Sequence, residues 1–103
     1  MDKKKLSIKN WAEDDRPREK MMKNGIGSLS NAELIAILFG TGTRNESAVE
    51  LARKLLDNAD NNLNTLAKQE LKQLCKIKGI GEAKAISILT ALELGKRRNI
   101  EEV

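Results

Sequence analysis

Apolar positions along the chain recur at spacings of three and four, the period of a helix with one inward stripe, and no stretch alternates with the period of two that a half-buried strand needs. After a polar start (residues 1–10), EDDRPREKMMKNGIG predicts a short helix. Pro17 suits its first turn, Asp14 and Asp15 suit the positive end of its dipole, and Gly25 can end it in the left-handed conformation. SLSNAELIAILFGTG predicts a second helix. Ser30 and Glu33 have the spacing of a capping box, Leu34, Ile37 and Leu38 form its inward face, and Gly40 and Gly42 end it.

A third helix is expected from about Glu46 to Asp57, capped by Asn45, with Ala48, Leu51, Ala52 and Leu55 turned inward. A turn-rich loop, DNADNNLN, leads to short helical segments in TLAKQELKQLCKI. The last helix runs from about Glu82 to Arg98 behind a Gly-Ile-Gly turn, with Ala85, Ile88, Leu89 and Leu92 as its stripe. The expected fold is all-α, a bundle of about five to six short helices. Residues 11–98 form one domain, between a flexible segment at 1–10 and a tail at 99–103.

Shifted by 37 positions, the chain matches itself without a gap. Glu33 and Leu34 fall on Glu70 and Leu71, Gly42 on Gly79, Ala48 on Ala85 and Leu55 on Leu92. The order helix, glycine turn, helix thus occurs twice, and two such units can share one core. The turns differ. The second reads Gly79-Ile80-Gly81 and opens directly onto a helix, whereas Arg44 stands in the first where Gly81 stands in the second. The first turn reads as mainly structural, with Thr41, Thr43 and Arg44 as secondary contacts for a ligand.

Composition narrows the chemistry. Among 103 residues there is no histidine and one cysteine, Cys75. Histidine-based triads, Cys-His pairs and His-ligated zinc are therefore excluded, as is an intrachain disulfide, and Cys75 reads as a buried structural thiol. No catalytic site and no cofactor are expected. Glu101 and Glu102 lie about twenty residues beyond the Gly-Ile-Gly turn, but in a polar tail of a chain too small to enclose a flipped base. The start carries lysines without an apolar core segment, and no long apolar run follows, so a cytoplasmic protein without membrane contact is expected.

Charge adds location. The net charge of +4 is unevenly spread, because residues 68–98 carry a balance of +5 and the rest a balance of −1. The excess surrounds the second turn, as expected where a polyanion is met. A Gly-Ile-Gly turn before a helix offers free amides, the positive end of a helix dipole and no Cβ in the way. Lys78 and Lys84 add full charges, and Ile80 can pin the turn to the core.

LKQLCKIKGIGEAKAISIL resembles the helix-hairpin-helix motif of DNA-binding proteins. That resemblance implies that Gly79, Ile80, Gly81, Lys84 and Lys78 hold a DNA phosphate without sequence preference. It further implies a monovalent cation site at the carbonyls of Cys75, Ile77 and Ile80. A wider stretch, about Ile8 to Arg98, is similar to the N-terminal domain of the bacterial RadC family. It includes DRPREKMMKNGIGSLSNAELIAILFGTGTRNESAVELARKLL and LCKIKGIGEAKAISILTALELGKR. This implies a tandem helix-hairpin-helix fold with a degenerate first copy, a role associated with DNA repair, and a following JAB/MPN-type metal-binding domain absent here. The alternative is a domain that binds protein and positions that metallohydrolase domain.

Overall fold

A computed structural model of the chain describes residues 3–101, with side chains from Ala12 onward. Residues 1–2 and 102–103, the outer ends of the expected flexible start and tail, lie outside the described residues, and Glu102 with them. The described residues are helical without strands: α1 (Lys3–Asn24), a 3-10 turn (Ile26–Ser28), α2 (Asn31–Phe39), α3 (Ala48–Asp57), α4 (Leu63–Ala67), α5 (Leu71–Leu74) and α6 (Glu82–Ile100). None of these helices is long and apolar enough to cross a membrane.

The first helix departs most from the sequence reading. It is 22 residues long and runs through Pro17 instead of starting there. An interior proline removes a backbone bond and costs about 3 kcal/mol relative to alanine. Packing offsets that cost, because Pro17 is fully buried and Asp14, three residues earlier on the same face, is only 5 % exposed. Asp14 is therefore not a solvated acid at a helix start. Gly25 does end the helix, with φ +87° and its amide donating to the Met21 carbonyl at 2.8 Å.

The expected capping box of α2 is present. The Glu33 amide donates to Ser30 Oγ at 3.2 Å, and the Ser30 amide donates to Glu33 Oε1 at 2.9 Å. Lys20 Nζ, 3.0 Å from the same carboxylate, ties α1 to this corner. The Ser30 amide and the Lys20 ammonium hold the Glu33 carboxyl below its usual range. Their contribution is present at neutral pH and lost on acidification through that lowered value.

The inward face of α2 is not the expected one. Ala32, Ile35, Ala36 and Phe39 are buried, Leu34 and Ile37 are half-buried, and Leu38 is 45 % exposed. The run LIAILF, Leu34 to Phe39, is apolar on every side, so periodicity alone cannot choose its face. In α3 the stripe of Ala48, Leu51, Ala52 and Leu55 is buried as read, but the cap is Ser47 with Glu50. The helix consequently starts two residues later than expected.

Asn62 caps α4 by accepting from the Thr65 amide at 2.9 Å, and Gln73 of α5 reaches back to the Glu70 amide at 2.8 Å. In α6, Ala85 and Ile88 are buried, with Leu89 and Leu92 partly buried beside them. Its 19 residues span about 28 Å. The two helix pairs, α2 with α3 and α5 with α6, share one core that Leu66 of α4 and Leu74 of α5 complete. Cys75 is half-buried against that core, more accessible than the sequence reading had it.

Candidate nucleic-acid interface

The second turn is built by local bonds and by the first turn behind it. The Ile77 amide donates to the Leu74 carbonyl at 3.1 Å, and the Ile80 amide donates to the Ile77 carbonyl at 3.0 Å. Gly79 lies between them at φ +94°, a conformation that a side chain resists. A Cβ there would also stand 2.6 Å from Leu51 Cδ2, with Thr43 and Glu46 close by. The two glycine turns therefore meet at Gly79. Ile80, 2 % exposed, plugs the turn into the core, as its apolar side chain between two glycines predicts.

Gly81 has neither of the constraints on Gly79. Its backbone is extended, with φ −91°, it is exposed, and a Cβ on it would meet no atom within 4 Å. Nothing in the chain requires glycine here. Glycine leaves clear the approach to the start of α6, and that start is bare. The first helical bond is from the Ala85 amide to the Gly81 carbonyl at 3.0 Å, and no side chain caps the helix. Among the described residues, the amides of Gly81, Glu82, Ala83 and Lys84 have no protein acceptor. By contrast, Ser30, Ser47 and Asn62 cap α2, α3 and α4. In the one-turn α5, Glu70 makes no side-chain cap bond either, and Gln73 accepts only from the Glu70 amide.

The charged residues bracket this row unevenly. Lys78 is exposed beside the turn. Lys84 is half-buried, with its ammonium 5.9 Å from the centre of the Phe39 ring. Such a contact is worth about 0.5–1 kcal/mol near the surface, little enough for an anion to compete for the side chain. Glu82, on the first turn of α6, puts one exposed carboxylate on the same rim. Of the three carbonyls considered for a cation, that of Ile77 already accepts the Ile80 amide. Among the described residues, no group of three or more His, Cys, Asp or Glu could hold a metal ion.

The first turn has spent the same kind of donors internally. The Gly42 amide donates to Asp14 Oδ2 at 2.9 Å and the Ala48 amide to Asp14 Oδ1 at 2.6 Å. Thr43 closes the loop, its amide on the Glu46 carbonyl at 2.8 Å and its hydroxyl accepting from Asn45 and Glu46. Thr41 and Arg44 are exposed. Gly42 is glycine because a Cβ would collide with the Glu46 backbone. Of the three first-turn residues, Thr43 is the one placed beside the second turn, against Gly79, and the amides of Gly42, Thr43, Asn45 and Glu46 in its loop are already paired within the chain. Asp14 was missed as part of this arrangement. Its partners lie 28 and 34 residues away, and no local pattern signals them.

Comparison with known proteins places this arrangement in a family. The family model described as UPF0758 N-terminal matches residues 8–86. A UPF0758 protein of Flavobacterium johnsoniae is 57 % identical over 98 residues, covering 95 % of this chain and 42 % of its own length. One from Trichlorobacter lovleyi is 52 % identical over 93 residues, covering 88 % of this chain and 40 % of the relative. One from Alkaliphilus oremlandii is 47 % identical over 92 residues, with 89 % and 40 % covered. The chain therefore spans about two fifths of the length of these relatives. No solved structure matches it. On the family model and these relatives together, the chain belongs to the UPF0758 family, which is the RadC family, and corresponds to its N-terminal domain.

Proposed function

We propose that this domain is a non-catalytic module that holds the phosphate backbone of DNA at its second turn, without reading base sequence. The observation that supports this reading is the uncapped start of α6, where a row of unpartnered amides faces the cleared position at Gly81. Backbone amides at a helix start suit a phosphate oxygen and carry no base information. Lys78 and a released Lys84 supply the charge. In a RadC-like protein this contact would serve a DNA repair-associated role by keeping the rest of the protein on DNA.

With one open turn, the contact is weak and strongly dependent on salt. Two neutralised phosphates give a slope of about −2 in log K against log salt. The test is fluorescence anisotropy of labelled duplex and branched DNA at low and high salt. Binding is expected at low salt for every sequence and is lost at high salt. Gly81→Asp combined with Lys84→Glu abolishes it while thermal unfolding stays cooperative. Absence of binding by the parent chain at low salt would overturn the proposal.

A further inference from the structure

A second surface, remote in character from the charged turn, is apolar. A groove of about 1030 Å³ runs between α4, α5 and the outer half of α6, with Leu63, Ala67, Leu71, Leu89, Leu92 and Ile100 among its walls. Leu63 and Leu92 also line a smaller hollow that reaches the exposed Leu38 of α2. From Glu93 to Ile100 every residue of α6 is exposed, including Leu94 at 63 % and Ile100 at 74 %. Within this stretch Arg97 pairs with Glu93 at 3.0 Å, an interaction worth a few tenths of a kcal/mol. The apolar wall of the groove is formed by Leu63, Leu71, Leu89, Leu92 and Ile100, while the last two turns of α6 add mainly the polar Glu93, Lys96, Arg98 and Asn99. Exposed aliphatic surface of this kind marks an interaction site.

The relatives indicate what covers it. The family model describes an N-terminal domain, and the relatives are more than twice the length aligned. In them the chain continues beyond the end of α6, and Ile100, on that end, is itself a wall of the groove. Whatever follows is tethered beside the groove, at an effective concentration of about millimolar, so a modest apolar contact suffices. The rim is mixed but net basic, with Lys68, Lys96 and Arg98 against Glu70 and Glu93.

We infer that α4, α5 and the outer half of α6 form the seat on which the C-terminal remainder of the longer family members packs, through an apolar face with an acidic border. This surface is separate from the proposed phosphate seat, and the inference does not depend on DNA binding.

The test is hydrogen exchange on the full-length Flavobacterium johnsoniae relative, compared with its N-terminal domain alone. The segment aligned with Glu93–Ile100 should exchange at least tenfold more slowly in the full protein, while the segment aligned with Gly79–Ala85 is unchanged. Leu71→Asp and Ile100→Asp, made at the aligned positions of the full protein, should remove that protection without global unfolding. Equal exchange in the full protein and the domain overturns the inference, as does protection that survives both substitutions. Protection of the isolated domain that rises with its concentration would identify a second copy as the occupant, and would overturn it equally.

Discussion

The two glycine turns of this domain have similar sequence, share one core and meet at Gly79, yet one is closed and the other open. In the first, Asp14 reaches in from α1 and takes the amides of Gly42 and Ala48, while Ser47 and Glu50 cap α3. In the second no carboxylate takes the amides that open α6, no side chain caps that helix, and Gly81 leaves the approach clear. The contrast shows what a degenerate repeat can retain. Geometry that suits an external anion in one copy is kept in the other by an internal anion.

This comparison can be broken most severely at Asp14. Asp14→Ala removes two charge-assisted bonds, each worth about 1.5–3 kcal/mol, and leaves the Ala48 amide buried without a partner. A loss of about 3–5 kcal/mol is expected, and at roughly 4–8 °C per kcal/mol the melting temperature should fall by more than about 10 °C. Calorimetry checks this. A fall of only a few degrees would mean that the first turn does not need its internal carboxylate.

Gly79→Ala comes next. The added methyl must sit at positive φ and displace Leu51, so about 2–4 kcal/mol is expected in urea unfolding, from backbone strain and overpacking together. Gly81→Asp has the smallest effect on stability and the opposite sign. It places a capping carboxylate before α6, imitating Asp14, and should stabilise the domain by a few tenths of a kcal/mol while filling the open turn. A destabilised Gly81→Asp variant would show that the start of α6 is not accessible in the way described.

What was legible in the sequence was local. The Ser30–Glu33 box lies within one helical turn, and Gly25 ends its helix by its own conformation. The buried Ile80 and the shared core follow from apolar spacing repeated over 37 residues. What was not legible depended on neighbours distant in sequence. Pro17 reads as a helix start unless its burial against the bundle is known. Asp14 reads as a solvated acid for the same reason. The face of α2 could not be chosen because its sequence is apolar all round, and its spare leucines border the unpartnered surface beside α4 and α6. The open second turn was visible as a pattern of glycine and lysine, but its contrast with the first required the position of α1.

The central claim is that only the second turn receives a phosphate. Amide chemical shifts of the isotope-labelled chain, followed while a short DNA duplex is added at low salt, test it most directly. Shifts concentrated on the amides from Gly79 to Ala85 are expected, with Gly42 and Ala48 unmoved because Asp14 already holds them. Shifts centred on the first turn, or spread evenly over the domain, would contradict it.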